Sequence, residues 1–65
     1  METKDVRFKL ARIQKNLSQQ DLAEVAGVSE HTISKIETGR LSPPPQVKEL
    51  LARVLEKKTY ELFGN

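Results

Sequence analysis

Residues 17–37 constrain the fold of this chain more than any other part, because they contain two helix starts and one helix stop. Ser18 can accept a hydrogen bond from the backbone N–H of Asp21, and an acidic side chain suits the electropositive first turn of a helix. Gly27 can adopt the left-handed conformation that ends a helix. We therefore predict a helix that begins at Ser18 and ends near Ala26.

A second helix is predicted directly after this stop. Ser29 is a second N-cap residue, and Glu30 follows it in the first turn. Ile33 and Ile36 lie three positions apart and so share one helix face. The chain therefore places two short helices in sequence, with only a glycine turn between them.

The short turn requires the two helices to cross closely. The first helix carries Leu22, Val25 and Ala26 at helical spacing, and Ala23 supplies the small side chain that a close crossing needs. The same pattern can describe any tight corner between two helices. A DNA-reading pair also needs short polar side chains at the exposed start of the second helix, where base edges are met. The residues that meet this requirement are Glu30, His31, Thr32, Ser34 and Lys35.

With these residues the chain resembles the helix-turn-helix domains of the phage repressor and Cro type, also called the xenobiotic-response-element family of bacterial regulators. The matching residues are Arg12, Leu17-Ser18-Gln19, Leu22-Ala23, Ala26-Gly27-Val28-Ser29, Ile33-Ser34, Ile36-Glu37, Gly39-Arg40, Pro43, Leu51-Ala52, Leu55 and Leu62-Phe63. The resemblance implies an all-α, compact, five-helix repressor-like DNA-binding domain, with the helix-turn-helix formed by helices two and three. We expect residues 1–65 to form one such domain, with a recognition helix from about Ser29 to Glu37.

The resemblance assigns the base-contacting positions to Glu30, His31 and Lys35. A carboxylate only accepts hydrogen bonds, so the natural partner of Glu30 is the exocyclic amine of cytosine or adenine. Lys35 can donate to O6 and N7 of guanine, and His31 can donate to a purine N7. A half-site that contains G and C is expected. The alternatives are that Glu30 only stabilises the helix N-terminus and that His31 only faces solvent.

Contacts with the DNA backbone are expected from Ser18, Gln19, Thr32, Ser34 and Arg40. The resemblance implies that Gln19, next to Ser18, presents its backbone N–H and its side chain to a phosphate, where the helix dipole adds attraction. The alternative for Ser18 and Gln19 is simple capping. Arg40 and Lys48 are candidates for outer phosphate contacts, with solvated surface as the equal alternative.

The resemblance also implies a structural pair between Arg12 of helix one and Glu37 at the end of helix three. Such a pair would lock the recognition helix to the scaffold. Its net stabilisation could be near zero, yet the loss of one partner would leave the other stranded at a high cost.

Helix one carries two apolar stripes that cannot both face the same core. The family places Phe8 and Ala11 toward the core, whereas Val6, Leu10 and Ile13 form a second stripe at i, i+4 and i+7. Either helix one is wedged between helix two and the C-terminal turn, so that both sides are partly covered, or the second stripe is exposed. An exposed stripe would bind another protein or a second copy.

The three prolines separate helix three from helix four. Because a residue before proline avoids the α region, residues 42–44 are expected to be extended, and Pro45 can begin helix four. The apolar stripe of this helix consists of Val47, Leu50, Leu51, Val54 and Leu55. A last short turn opens at Lys58 or Thr59 and stops at Gly64. The family usually has glycine at the position of Glu56, so the sequence leaves open where helix four ends.

Composition excludes several other functions. The chain of 65 residues allows one small domain, and it has no cysteine for a disulfide or a zinc-thiolate site. One histidine and three isolated glycines give neither a nucleophile–base pair nor a phosphate loop, so we expect no enzyme, no metal and no cofactor. The net charge of +2 does not by itself indicate nucleic acid. Without an apolar run of ~20 residues or a secretory signal, we expect a cytoplasmic, nucleoid-associated protein with no membrane contact.

These features favour a small transcriptional regulator, of repressor type, that binds double-stranded DNA sequence-specifically. A domain of this size makes few phosphate contacts, so we expect a homodimer on an inverted repeat. Its interface is left open between helix four, the C-terminal turn and the extra stripe of helix one. The alternative is a protein-interaction module with the same fold, such as an antitoxin or co-regulator, that binds a partner through Val6, Leu10 and Ile13.

Overall fold

The computed structural model describes residues 6–64 as five helices joined by short turns. They are α1 (Arg7–Gln14), α2 (Gln19–Ala26), α3 (Glu30–Glu37), α4 (Pro45–Leu55) and α5 (Thr59–Phe63). This part of the chain contains no strand, and the predicted all-α, five-helix fold is confirmed. The prediction of one domain over residues 1–65 also covers residues 1–5 and 65, which lie outside the described residues.

The predicted helix starts and stop are present around α2 and α3. Ser18 Oγ accepts a hydrogen bond from the backbone N–H of Asp21 at 2.9 Å, and Asp21 Oδ2 accepts one from the backbone N–H of Ser18 at 3.1 Å. Gly27 has a φ of 75°, in the left-handed region. Ser29 Oγ accepts a hydrogen bond from the backbone N–H of Thr32 at 3.1 Å. Capping therefore sets both ends of the turn between the two helices.

One apolar residue of α2 lies outside the core. Leu22 is fully buried and Ala23 and Ala26 are nearly so, but the side chain of Val25 is 62% exposed. The prediction that Val25 belongs to the packed face is therefore wrong. α2 packs against α3 and α4, and the buried residues 22, 23 and 26 mark the centre of its packed face. With about 3.6 residues per turn, residue 25 lies roughly 100° from that centre, on the solvent side.

The core receives buried apolar side chains from all five helices. These are Phe8, Ala11, Leu22, Ala23, Ala26, Ile33, Ile36, Leu51, Ala52, Leu55 and Leu62. The other members of the predicted α4 stripe, Val47, Leu50 and Val54, are half-buried against this core. Phe63 of α5 stacks on Phe8 of α1, with ring centroids 5.5 Å apart. The α4 stripe is therefore confirmed, and Ile33 and Ile36 fix the inner side of α3 to the scaffold.

The two apolar stripes of α1 differ in their burial. Phe8 and Ala11 are buried, whereas Val6, Leu10 and Ile13 are 42%, 51% and 48% exposed. α1 packs against α5, but α5 is short and leaves the second stripe in contact with solvent. The wedged arrangement, one of the two alternatives, is therefore wrong. The second stripe of α1 is exposed, as the other alternative expected.

Both ends of α4 follow from local conformation. Pro44 is extended, with ψ of 162°, and Pro45 is the first helical residue, as predicted. α4 ends at Leu55, and Glu56 takes the left-handed conformation with φ of 58°. Helix four therefore ends through a non-glycine cap at the position where the family usually has glycine. The Glu56 carboxylate forms an ion pair with Lys15 Nζ, and this hydrogen bond and charge lower the pKa of Glu56.

Candidate nucleic-acid interface

The outer side of α3 carries the polar side chains that the sequence assigned to base contacts. Glu30, His31 and Lys35 are exposed, and none of their side chains forms a hydrogen bond or ion pair with another residue in the described range 6–64. Glu30 lies in the first turn, and His31 and Lys35 are four positions apart, so they are neighbours on one face. The apolar side of α3 thus holds the helix in place, while its polar side chains are available to a ligand.

The hydroxyl residues of α3 are less accessible than these three. Thr32 and Ser34 are half-buried, and Thr32 Oγ1 lies 2.9 Å from Ser29 Oγ in a hydrogen bond. The backbone carbonyl of Ser34 accepts a hydrogen bond from Thr38 Oγ1 at 3.1 Å. A hydroxyl has one donor and two acceptor positions, so Thr32 keeps room for a further contact. The two residues can therefore approach a phosphate only at the edge of the polar face.

The C-terminal end of α3 is tied to α1 by a buried ion pair. Arg12 Nε donates to Glu37 Oε2 at 2.6 Å, and Arg12 Nη2 donates to Glu37 Oε1 at 3.3 Å. The two side chains are 10% and 4% exposed. Arg12 Nη1 also donates to the carbonyl oxygen of Leu17 at 2.7 Å. The structure thus brings together the two residues of the expected structural pair, with the two-point geometry that makes arginine–carboxylate contacts specific.

Gln19 connects the start of α2 to the same carboxylate. Gln19 Nε2 donates to Glu37 Oε1 at 3.0 Å, so Glu37 receives hydrogen bonds from both Arg12 and Gln19. The backbone N–H groups of the first turn of α2 have no acceptor within the helix, apart from the one that Ser18 caps. At this end of α2, Ser18 also holds Asp21: its backbone N–H, and then its hydroxyl, lower the pKa of the Asp21 carboxyl. The start of α2 is therefore a fixed group of polar donors beside the recognition helix.

Comparison with known families decides what this arrangement of helices is. A family model of helix-turn-helix domains, of the Cro/C1 type, matches residues 8–62. The chain belongs to this helix-turn-helix family. The matched residues extend from α1 into α5, so the match includes residues of all five helices. The comparison with curated proteins gave no match.

Membership of the helix-turn-helix family establishes the general kind of function. The family is a DNA-binding regulatory family and not an enzyme family. This helix-turn-helix protein is accordingly a DNA-binding protein of the transcription-regulator kind. Within the described residues, no group of three or more metal-ligating side chains comes together. None of the helices found between residues 6 and 64 is long and apolar enough to cross a membrane.

The two cations expected at the edge of the helix-turn-helix differ in their surroundings. Arg40 is exposed, and its side chain has no hydrogen bond or ion pair with another described residue. Lys48 is half-buried, and its Nζ lies 5.8 Å from the centre of the Phe63 ring. This contact turns Lys48 toward α5. Arg40 is therefore the better candidate for a phosphate contact.

Some parts of the interface leave no sign in the sequence. The amide of Gln19 was expected to face a phosphate, but in the structure it also donates to Glu37, which is 18 positions away along the chain. The carbonyl of Leu17, the third acceptor for Arg12, is a backbone group, and no residue pattern reports it. Only the resemblance indicated that Arg12 and Glu37 meet.

Proposed function

We propose that this helix-turn-helix domain is a repressor-type transcriptional regulator that reads double-stranded DNA with α3 in the major groove. The observation that carries the proposal is the outer side of α3. The side chains of Glu30, His31 and Lys35 are exposed there without partners among the described residues, on a helix that a buried ion pair holds in place. Side chains that are free while their helix is fixed suit the reading of base edges.

Each of the three side chains suits a different base edge. The Lys35 ammonium is a donor that fits O6 and N7 of guanine, and His31 can donate to a purine N7. The Glu30 carboxylate would be repelled by a phosphate, so the base edge that suits it is the exocyclic amine of cytosine or adenine. The expected half-site therefore contains a guanine opposite Lys35 and an amine donor opposite Glu30.

Backbone contacts would orient α3 in the groove. We assign them to Ser18 and Gln19 at the start of α2, to Arg40 beyond the end of α3, and to Thr32 and Ser34 at the edge of the polar face. The start of α2 offers backbone N–H groups and the positive end of a helix dipole, which attract a phosphate without a formal charge. Gln19 Nε2 donates to Glu37 Oε1 at 3.0 Å. A phosphate bound by Gln19 would therefore be connected, through this hydrogen bond, to the end of the recognition helix.

The proposal includes two copies of the chain on one site. We take residues 1–65 as one domain, and a single domain of this size neutralises few phosphates, so it binds a specific site weakly and with a strong salt dependence. Two copies related by two-fold symmetry would place their recognition helices about one DNA turn apart on an inverted repeat. The partners are therefore double-stranded DNA and a second copy of the chain.

Selection of bound duplexes from a random DNA pool tests this function. We expect the chain to enrich an inverted repeat with half-sites about 10 base pairs apart, because symmetric recognition helices read successive turns of the major groove. The control is the Glu30→Ala/His31→Ala/Lys35→Ala variant, which keeps the buried side of α3 and should enrich nothing. The function is rejected if the unaltered chain enriches no sequence, or binds all duplexes alike in a salt-sensitive manner.

The exposed stripe on α1 favours a second candidate function. Val6, Leu10 and Ile13 form an apolar side that the described chain covers only in part. In an antitoxin or co-regulator of this fold, such a stripe would bind a different protein. If this is the function, a partner protein should bind the Glu30→Ala/His31→Ala/Lys35→Ala variant as tightly as the unaltered chain. The same partner should bind the Leu10→Glu variant less tightly.

A further inference from the structure

Large exposed apolar side chains are concentrated on α1 and α5. Val6, Leu10 and Ile13 lie on or next to α1, and Tyr60 lies on α5. Leu10 and Tyr60, 51% and 57% exposed, both line an open groove of about 480 Å³ between the two helices. We call it the α1–α5 groove. Exposed apolar side chains that share a groove can take part in a contact surface.

The rim of the α1–α5 groove carries charges of both signs. Lys57 and Glu61 line the groove and are exposed. The Lys57 side chain forms no hydrogen bond or ion pair with another residue in the described part of the chain. Glu61 uses Oε1 to accept the backbone N–H of Lys58 at 2.7 Å, whereas its Oε2 has no partner within residues 6–64. One cation and one carboxylate oxygen are thus available beside an apolar surface.

This arrangement is self-complementary. A two-fold axis brings the same surface of two copies together, so a contact of one residue with another residue of the second copy is repeated in the reverse sense. With one cation and one carboxylate beside the same groove, two copies can pair Lys57 of one copy with Glu61 of the partner subunit, and the reverse. A surface with one sign of charge would instead repel its own copy.

The α1–α5 groove and the proposed DNA interface use different elements. The base and phosphate contacts are assigned to α3, to the start of α2 and to Arg40, and none of these residues lines the groove. Occupation of the groove therefore uses none of the residues that are assigned to DNA contacts. This is the condition for an interface that must persist while DNA is bound.

We propose that the α1–α5 groove is the two-fold interface between two copies of this chain, with Leu10 and Tyr60 at its apolar centre and Lys57 facing Glu61 of the partner subunit. The choice of a second copy as occupant rests on the proposed function, because an inverted repeat needs two recognition helices held by one assembly. The charge pattern supports the same occupant independently.

The apolar centre is tested by sedimentation equilibrium of the full chain at concentrations up to about 1 mM, where even a weak dimer is populated. Leu10→Glu should raise the dimer dissociation constant at least about tenfold, because each dimer loses two apolar contacts and gains two buried charges. The matched control is Val25→Glu, which changes an exposed side chain outside the groove and should leave self-association unaltered. A monomeric unaltered chain, or equal self-association of Leu10→Glu, overturns the proposal.

The ion pairs are tested by exchanging the charges. Lys57→Glu alone and Glu61→Lys alone should each weaken self-association, because each variant places like charges opposite each other. An equimolar mixture of the two should recover the dimer, since both contacts then join opposite charges again. A mixture that stays monomeric overturns the assignment of the pair. Glu61→Lys also removes the acceptor for Lys58, so helical circular dichroism is measured first, and if it is lost the Leu10→Glu comparison decides alone.

These results separate the interface from the function. If the chain enriches an inverted repeat while Leu10→Glu associates normally, the groove is overturned and the DNA-binding function stands. If the chain forms dimers through the groove and enriches no DNA sequence, the interface stands and the proposed function fails. If Leu10→Glu impairs only the binding of a different protein, the groove is overturned as a self-interface.

Discussion

Arg12→Met is expected to lower the free energy of unfolding by about 3–5 kcal/mol, because it leaves a buried carboxylate without its cation. The Glu37 side chain is 4% exposed, so water cannot take the place of the guanidinium. Methionine preserves most of the apolar length of the side chain, and the Gln19 amide at 3.0 Å supplies a hydrogen bond but no charge. Small domains have little stability to lose, so urea unfolding followed by circular dichroism should show a large shift of the midpoint.

Two further variants make this result specific. Arg12→Met/Glu37→Met removes both charges and should recover most of the loss, because no charge is then stranded. Lys15→Met breaks the ion pair with Glu56, whose side chain is 74% exposed, and should change stability little. If Arg12→Met were as mild as Lys15→Met, the pair would not be what fixes the recognition helix.

Leu22→Ala is expected to cost about 2–5 kcal/mol of unfolding free energy, because it opens a cavity in the core. Leu22 has no exposed surface and lies where α2 meets α3 and α4. Its matched control is Val25→Ala in the same helix. Val25 is 62% exposed, so this change should stay within about 0.5 kcal/mol.

The comparison of Leu22 and Val25 tests the packing of α2 directly. Urea unfolding of the two variants under the same conditions gives both free energies. A loss at Val25→Ala as large as at Leu22→Ala would mean that residue 25 is packed, in contradiction with the structure. A small loss at both positions would mean that α2 does not form the centre of the core.

The helix boundaries could be predicted because their causes are local. Ser18 and Ser29 each cap a helix through a backbone N–H three residues further on, and Gly27 ends α2 through its own φ. Pro45 begins α4 for the same kind of reason. Such signals need no knowledge of the tertiary structure. The family match over residues 8–62 bears out the resemblance drawn from these positions.

The direction of packing could not be predicted in the same way. Spacing placed Val25 with Leu22, but which side of α2 is covered depends on where α3 and α4 lie. The second stripe of α1 stays exposed because α5 covers only part of α1. Glu56 ends α4 without glycine, and its ion-pair partner Lys15 is 41 positions away along the chain. Each of these facts is set by contacts distant in sequence.

In the candidate site, too, the local features could be predicted and the contacts between distant residues could not. The exposed residues of α3 could be named in advance, because a helix with one buried face must expose the other, and their roles with DNA remain predictions. The network behind the site could be foreseen only in part. The Arg12–Glu37 contact followed from the resemblance alone. The hydrogen bond from Gln19 to Glu37 joins the start of α2 to the end of α3. No pattern within one helix reports such a bond.

The most direct measurement of whether α3 reads bases is the affinity of Lys35→Ala for the selected duplex and for its single base-pair substitutions. We predict a loss of about 1–3 kcal/mol on the selected duplex and a loss of preference at one guanine in each half-site. Arg40→Ala, the control, should weaken all duplexes alike and reduce the dependence on salt. If Lys35→Ala also weakened all duplexes alike, Lys35 would be a phosphate contact, and the assignment of α3 as a base-reading helix through Lys35 would be contradicted.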